Sequence, residues 1–266
     1  MKGRLLIMGP LDGPTNMALD EAILLQANPS PALRLYSWSG PWLSIGYSQV
    51  VQKDVDVAAC QRLGIGLVRR PTGGGAILHH AELTYCLVAP EDHDSVKGSI
   101  LESYCKVSRG LVAGLTSLGI NPEMAPADCR NNRSSSSCFL SPSAYEVAVG
   151  GRKLAGSAQW RRRGMLLQHG SVLLDLDPAL YAEVLKLPPG EDRDTWAGGF
   201  ARRAVCLKEA LGRSIGFEEA ADAIVRGYKE ALRLELQEEG VTEQEWETAD
   251  ALRSEKYGSP GWNLAR

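Results

Sequence analysis

The chain has 266 residues, of which 44% are apolar and 23% charged, and its formal net charge is -3. This composition predicts a globular protein with a single domain over residues 1–266, and the small negative charge argues against a nucleic-acid partner. The longest early apolar run, Leu5 to Met8, is far too short to cross a bilayer and is not a signal peptide, so we expect a cytoplasmic protein without a membrane partner. The six cysteines include no C-x-x-C pair, which disfavours a zinc site and a disulfide framework.

The first half of the chain alternates between helix-like and strand-like patterns. Helices are predicted over residues 16–26, 52–63 and 100–118. Thr15 or Asn16 is a suitable cap for the first helix, and Gly64 and Gly119 end the other two. Strands are predicted over residues 33–38, 42–47, 65–70 and 84–89. The apolar start of the third strand indicates a central place in its sheet.

Three strands and two tight turns are predicted next. The strands cover residues 145–149, 152–159 and 165–174. Gly150-Gly151 and Arg163-Gly164 are the turn signals, because tight hairpin turns need positive φ angles. Helices are predicted over residues 178–187, 203–211, 218–232 and 243–255, the last beginning with a capping box. Loops are predicted over residues 128–137 and 191–200.

The segment RRPTGGGAILHH, residues 69–80, places three glycines after a predicted strand. Glycines allow backbone N–H groups to approach a ligand closely. The spacing matches neither a dinucleotide fingerprint nor a P-loop. A flexible hairpin loop explains the glycines equally well, but the preceding Arg69 and Arg70 favour an anionic group nearby.

Cys138 is the best candidate for a nucleophile. It follows four serines in a polar loop that also holds Arg130 and Arg133, where burial is not expected. Nearby positive charge favours the thiolate, which is the reactive form of cysteine. The alternative is a spare surface thiol. Cys86, Cys105 and Cys206 fall within predicted strands or helices and fit as small core residues.

Lys153 lies at the start of a predicted strand, at the mouth of the hairpin that the Cys138 loop precedes. A solvated turn lysine is the usual explanation. An acid–base role requires a lysine that can lose its proton, which repulsion from Arg152 and from Arg161–Arg163 would favour. These arginines equally predict a solvated face that attracts an acidic partner. A thiol and an amine that meet at a loop rim indicate acyl transfer.

The histidines give weaker signals. His79 and His80 follow the glycines, but no third ligand has a suitable spacing, so no metal is predicted. His169 lies on an apolar strand, where a histidine is more often buried and hydrogen-bonded than catalytic. We expect it to support and shape a pocket. His93 lies in an acidic loop and is predicted to be solvated.

Two central segments, RRPTGGGAILH and GRKLAGSAQWRRRGMLLQHGSVLLDLD, resemble the lipoate/octanoate transferase and ligase family. The segments NMALDEAIL, LRLYSWSGPWLSIGYSQ and KYGSPGWN are similar to it as well, so the resemblance covers nearly the whole chain. It implies an α+β catalytic domain in which mixed or antiparallel sheets are flanked by helices, a fold shared with biotin protein ligases.

The resemblance also implies a site. Lys153 matches the lysine that contacts the acyl carbonyl, and Cys138 precedes PSAYE as does the loop cysteine of Gram-positive-type octanoyltransferases. The implied substrate-binding residues are Arg69, Arg70, Thr72, Gly73, Gly74, Gly75, Ala76, His79, Gly156, Ser157, Ala158 and His169. The expected oxyanion donors are backbone N–H groups near Gly74, Gly75 or Ser157.

Within this family, the features favour the octanoyltransferase branch. The chain ends just after Trp262-Asn263, so we expect no C-terminal accessory domain of the kind that many ligases carry. We also expect no cofactor. Octanoyl is expected to move from acyl carrier protein, through Cys138, to a lysine of a lipoyl domain such as that of glycine cleavage H protein. His80 replaces an aspartate typical of ligases and departs from the transferase pattern too. The alternatives are an ATP-dependent lipoate ligase, an amidotransferase between lipoyl domains, and an inactive lipoyl-domain-binding module.

Overall fold

The computed structural model describes residues 1–125 and 146–265. The strands in this part of the chain are β1 Lys2–Ile7, β2 Ala32–Tyr36, β3 Trp42–Ile45, β4 Gly66–Arg69, β5 Ile77–His79, β6 Glu82–Pro90, β7 Glu123–Met124, β8 Val147–Val149, β9 Arg152–Arg162, β10 Met165–Leu173 and β11 Glu235–Glu238. The helices are α1 Gly13–Leu25, α2 Val51–Asp54, α3 Val57–Arg62, α4 Ile100–Ser117, α5 Pro178–Val184, α6 Arg193–Ala201, α7 Leu207–Leu211, α8 Phe217–Leu232, α9 Glu243–Leu252 and α10 Pro260–Asn263, with a π-helical turn at Arg253–Tyr257 after α9. None of the helices described is both long and apolar enough to span a bilayer.

The strands form two sheets. The larger has eight strands in the order β11-β1-β2-β6-β10-β9-β8-β7. In it, β11, β1 and β2 run parallel, and the remaining neighbours are antiparallel. The smaller sheet has the order β4-β3-β5, with one parallel and one antiparallel pairing. These mixed sheets, flanked by helices, confirm the predicted α+β class.

Both faces of the large sheet are buried, which explains why β6 is apolar along most of its length. On one face, alternate residues of β6 such as Leu83 and Leu87 join a core with α4 and α8. On the other face, Cys86 and Val88 pack with residues of α1. A third core connects β3 and β5 with α5 and α6. The small sheet is thereby held beside the large one.

Helices α4 and α8 contact each other through glycines. A Cβ atom on Gly227 would lie 2.1 Å from the backbone nitrogen of Gly114 and 2.3 Å from the carbonyl oxygen of Gly110. The missing side chains therefore let the two backbones touch. This contact sets the distance between α4 and α8, the two helices that pack together on one face of the large sheet.

Several predicted features are confirmed. The helix predicted at 100–118 is α4, and the capping box at the start of α9 is present. Gly150 and Gly151 have φ angles of 56° and 72°, and Arg163 and Gly164 have φ angles of 53° and 76°. Both predicted turns therefore adopt the left-handed conformation that places β8, β9 and β10 next to one another.

Two predictions in the first half are wrong. The helix predicted at 52–63 is divided into α2 and α3, because Val55 is extended and pairs with Leu185. Asp56 then caps α3 by accepting a hydrogen bond from Ala59 N. The strand predicted as central at 65–70 is β4, an edge strand of the small sheet. Its apolar side chains, Leu67 and Val68, are explained by packing against the hydrophobic cores on the two faces of the small sheet and not by a central place in it.

Two further local predictions are corrected. The loop predicted at 191–200 contains α6, in which Trp196 and Phe200 are buried one helical turn apart, with ring centroids 5.2 Å from each other. The cap of α1 is Asp12, which accepts a hydrogen bond from Thr15 N. Asn16 instead donates to backbone carbonyls, so its side chain ties the helix to the neighbouring chain.

The glycine contact between α4 and α8 predicts a loss of stability in Gly227→Ala. Overpacking costs about 1–3 kcal/mol, and a Cβ pressed against backbone atoms places this variant at the upper end of that range. Alanine returns about 1 kcal/mol of helix propensity, so we expect a net loss of about 2 kcal/mol. Urea unfolding followed by circular dichroism measures it. Gly9→Ala is the control, because, its chain neighbours aside, no atom of the described residues lies within 4 Å of the point that its Cβ would occupy. Equal midpoints for the two variants would contradict the proposed backbone contact.

Candidate active site

A narrow cavity with about 20 Å³ of free space lies where the large sheet meets the small sheet and α1. Six predicted site residues line it: Arg70, His79, Gly156, Ser157, Ala158 and His169. Eight further lining residues were not predicted from the sequence: Met17, Tyr36, Trp38, Ser44, Ile77, Thr84, Gly170 and Ser171. These come from strands and a helix that are far apart in the chain, and no local motif marks them as a group.

His169 is held between a carboxylate and a hydroxyl. Its Nδ1 lies 3.0 Å from Asp20 Oδ2, and its Nε2 lies 2.7 Å from Thr72 Oγ1. Because a carboxylate only accepts, Nδ1 carries a proton, and in the neutral ring Nε2 then accepts from the Thr72 hydroxyl. Asp20 also accepts from Arg34 at 2.7 Å and from Tyr36 at 2.9 Å. Burial raises the pKa of Asp20, but hydrogen bonds from His169 and Arg34 outweigh it, so the pKa is lowered.

His79 is held in the same manner. Its Nδ1 lies 2.8 Å from Glu82 Oε1, and its Nε2 lies 2.7 Å from Ser44 Oγ. Its ring stacks on Trp38, with centroids 3.8 Å apart and planes 13° apart. Burial lowers the pKa of His79, although the Glu82 carboxylate acts in the opposite direction. His79 is therefore a neutral donor to Glu82 and an acceptor from Ser44 near neutral pH.

These pairings leave mostly carbon atoms facing the cavity. Both histidines use both ring nitrogens behind the wall, and Trp38 Nε1 donates to Thr84 Oγ1 at 2.9 Å. The Tyr36 hydroxyl is likewise turned away towards Asp20. A wall made largely of polar residues consequently presents an apolar surface, which suits a hydrocarbon chain.

Arg70 holds the glycine loop. Its guanidinium donates to the carbonyl oxygens of Gly73 at 2.9 Å and Gly75 at 2.7 Å, and to Ser44 Oγ at 2.9 Å. Gly46 has to be a glycine here, because a Cβ on it would lie 2.0 Å from Gly74 O. These hydrogen bonds and this close contact favour an ordered loop over a simple flexible hairpin, and a ligand at its glycines stays a prediction.

Arg69 connects two distant backbone segments. Its side chain, which is buried, donates to carbonyl oxygens in the turn after β3 and in the C-terminal segment, namely those of Gly46, Tyr47, Gln49, Trp262, Asn263 and Ala265. These contacts have a structural role: Arg69 holds the C-terminal segment and Arg70 holds the loop. The expected anionic group near the two arginines stays a prediction. The cavity wall as described includes Arg70 and not Arg69.

Lys153 is buried, with only 6% of its surface exposed, and its Nζ lies 2.6 Å from Glu146 Oε1. The interpretation as a solvated turn lysine is therefore wrong. The predicted like-charge environment is wrong as well, because Arg152 pairs with Glu209. Arg161, at the far end of β9, pairs with Glu91. Sequence reasoning missed Glu146, which a buried lysine requires as a compensating charge.

The remaining predicted site residues lie outside the described part of the chain, beside the cavity or in its wall. Cys138, Tyr145 and the predicted loop at 128–137 lie outside the described residues. The described residues Thr72, Gly73, Gly74, Gly75 and Ala76 are not part of the cavity wall, although Thr72 supports His169. Ser157 lines the cavity, its Oγ accepts from Tyr85, and its carbonyl accepts from Tyr104. Within the same described ranges, no group of three or more His, Cys, Asp or Glu side chains is arranged to hold a metal ion.

The family model described as lipoyl protein ligase A/B catalytic domain matches residues 12–229. This match covers well over half of the chain, and the mixed sheets flanked by helices agree with it, so the chain belongs to that family of catalytic domains. The resemblance inferred from the sequence is therefore confirmed.

Within the family, the chain is similar to proteins named octanoyltransferase LipM. It is 43% identical to that of Symbiobacterium thermophilum, over 99% of this chain and 98% of the relative. It is 44% identical to that of Kyrpidia tusciae with the same coverage, and 36% identical to that of Bacillus subtilis over 94% of each chain. The chains therefore align almost from end to end.

Solved structures show the same fold. A lipoate-protein ligase A bound with ATP superimposes with a TM-score of 0.83 at 28% identity, over 99% of both chains. A bi-partite lipoate protein ligase of Thermoplasma acidophilum, studied with its E2 lipoyl domain, gives a TM-score of 0.85 at 28% identity, over 100% of this chain and 98% of that one. The chain is therefore similar in structure to lipoate ligases and similar in sequence to octanoyltransferases.

The burial of His79 predicts a pH dependence of stability. Its pKa is lowered in the folded protein, whereas the unfolded chain binds a proton near pH 6.5. Stability from this residue is therefore present above about pH 6.5 and is lost as the pH falls below it, with a slope of up to about 1.4 kcal/mol per pH unit. Urea unfolding between about pH 5 and pH 7.5 measures the slope.

His79→Gln should flatten that slope, whatever its effect on the stability at neutral pH. His80→Gln is the matched control, because the neighbouring His80 is exposed. If the slope in His79→Gln equals that in the wild type and in the control, the buried neutral histidine is not the cause.

Proposed function

We propose that this protein is an octanoyltransferase that moves octanoyl from acyl carrier protein, through a thioester on Cys138, to a lysine of a lipoyl domain such as that of glycine cleavage H protein. The observation that carries the proposal is the identity of 43% and 44% with octanoyltransferases over 98% or more of both chains. The solved ligases reach 27–28%. Because function resides in the site and not in the fold, the closer sequence match has more weight.

The cavity supports an acyl substrate. Its hydrogen-bonded walls expose mostly carbon atoms, and Gly156, Ala158 and Gly170 contribute little or no side chain to them. The free space of about 20 Å³ corresponds to little more than one water molecule, so we infer that side chains of the wall shift when an acyl chain enters. Met17 is the unbranched, flexible side chain in the wall that adapts most easily.

The reaction has two steps. The Cys138 thiolate attacks the thioester carbonyl, and the carrier thiolate leaves with a proton from the Lys153 ammonium. The neutral amine of the acceptor then attacks the Cys138 thioester, its proton passes to Lys153, and the Cys138 thiolate leaves. The products are an amide and a thiol, so the transfer consumes no ATP. Glu146 balances the charge of Lys153 whenever that residue is protonated.

An ATP-dependent lipoate ligase is the second candidate. A specific observation supports it: the fold matches a lipoate-protein ligase A bound with ATP over 99% of both chains. A Thermoplasma acidophilum protein described as a putative lipoate protein ligase with bound lipoic acid also superimposes, with a TM-score of 0.81 at 27% identity. The two candidates differ in their acyl donor. A transferase uses a thioester without ATP, and a ligase uses the free acid with ATP.

The covalent step is tested with octanoyl-acyl carrier protein and intact-mass measurement. Wild-type protein should gain one octanoyl group without ATP, and Cys138→Ala should gain none, because the thiolate forms the bond. Cys105→Ala, which changes a half-buried cysteine of α4, is the control and should still be acylated. An adduct that persists in Cys138→Ala would contradict the proposed nucleophile.

The same assay separates the two candidate functions. Full transfer to a lipoyl domain should occur with octanoyl-carrier protein and no ATP, and free octanoate with ATP should give no product. The opposite pattern would establish the ligase. Transfer from an octanoylated lipoyl domain, in place of the carrier, would identify an amidotransferase.

Lys153→Arg tests acid–base chemistry separately from charge. Arginine keeps the positive charge beside Glu146 but stays protonated, so the variant should fold and transfer octanoyl about 10²–10⁴ times more slowly. Lys208→Arg is the control, because Lys208 also pairs with a carboxylate, Asp175, but is exposed. Near-normal rates in Lys153→Arg would show that Lys153 supplies only charge.

A further inference from the structure

The turn between α6 and α7 runs directly alongside Lys153. Lys153 N donates to Arg203 O at 2.8 Å, and Val205 N donates to Lys153 O at 3.0 Å. The two segments therefore pair in the manner of neighbouring strands, with a bridge between Lys153 and Ala204. Whatever the turn presents to solvent is consequently at the edge of the proposed active site.

This turn presents two adjacent arginines. Arg202 and Arg203, which we call the rim pair, are both exposed. The other basic residues near this edge are already neutralised: Arg152 pairs with Glu209 at 2.7 Å, and Lys208 pairs with Asp175 at 2.7 Å. In the described part of the chain, no ion pair involves either member of the rim pair. Two uncompensated positive charges therefore stand next to Lys153 on a protein of net charge -3.

A groove continues from the rim pair. It has a free volume of about 600 Å³, and its wall includes Ala201, the residue that precedes Arg202, together with Leu176, Pro178 and Cys206. The charged residues of the wall, Asp175, Lys208, Glu209 and Arg213, all take part in ion pairs. A surface with an apolar floor and a charged edge is typical of a transient protein interface. The groove and the rim pair thus form one continuous surface beside the active-site lysine.

We propose that the rim pair is the docking site for an acidic surface of the carrier protein that delivers the acyl thioester. This proposal rests on the octanoyltransferase function proposed above. A carrier holds its acyl group at the end of a flexible arm, so its folded part has to bind at the edge of the site while the thioester reaches Lys153. Exposed positive charges at this edge steer an acidic partner and raise its association rate in a salt-dependent way.

The test is the double variant Arg202→Glu/Arg203→Glu, assayed with two octanoyl donors. With octanoyl-acyl carrier protein, we expect KM to rise about tenfold and its increase with salt to be lost or reversed, because the electrostatic attraction becomes repulsion. With octanoyl-coenzyme A, which has the phosphorylated arm but no protein, KM and kcat should be unchanged. The KM for the lipoyl acceptor should be unchanged as well.

Arg109→Glu/Arg226→Glu is the matched control, because these arginines are also exposed but lie on α4 and α8 and not on the turn beside Lys153. It should leave all KM values as in the wild type, and thermal unfolding should show that both double variants are folded. An unchanged KM for the carrier, an equal loss with octanoyl-coenzyme A, or a loss confined to the acceptor would each overturn the docking proposal. If the wild type transfers octanoyl from neither donor, the octanoyltransferase function itself fails.

Discussion

The pocket depends on the pairing of the polar side chains that build its wall. His79 and His169 each have one ring nitrogen on a carboxylate and the other on a hydroxyl. A buried polar group that loses its hydrogen-bond partner costs about 1–3 kcal/mol. The donors and acceptors around the two histidines therefore have one favourable arrangement. That arrangement fixes the tautomers and turns the polar atoms away from the cavity. The apolar character of the pocket is therefore a product of hydrogen bonding as well as of residue type.

The same constraint gives the two adjacent arginines of one motif separate structural roles. Arg70 extends the chain of hydrogen bonds from Ser44 and His79 to the glycine loop. Arg69 joins the turn after β3 to the C-terminal segment, where Asn263 lies 194 residues further along the chain. Through these two side chains, the position of the loop beside the pocket depends on how the end of the chain packs. Substitutions in the C-terminal segment are accordingly able to affect the site without contacting it.

The fold by itself does not select an activity, because ligases with 27–28% identity superimpose over almost the entire chain. What differs between a ligase and a transferase is the donor and the group that attacks it. In the function proposed above, the buried pair of Lys153 and Glu146 is assigned to this difference. Removing two charges from water is costly, and a structural ion pair often gives no net stability in return. Its position beside the turn that holds the rim pair fits a role in the reaction.

Some features were determined by the sequence alone, because their signals are local. The periodicity of α4, the glycine turn before β9 and the capping box of α9 each depend on residues within a few positions of one another. The motifs also identified the family, the α+β class and six residues of the cavity wall. Turn angles and helix caps are set by neighbours in the chain, which is why they can be predicted without a structure.

Other features were decided only by the tertiary structure. The partner of Lys153, the clamp made by Arg69, and the contribution of Met17 and Trp38 to the cavity depend on which distant segments meet. Trp196 and Phe200 are spaced as buried residues of a helix, but the two adjacent glycines between them favoured a loop in the sequence. A side chain's role is set by the groups that surround it after folding, and sheet register and packing bring those groups together from distant positions in the chain. The residues along the chain therefore determine which chemical groups this protein has available, and the fold decides which of those groups face the substrate.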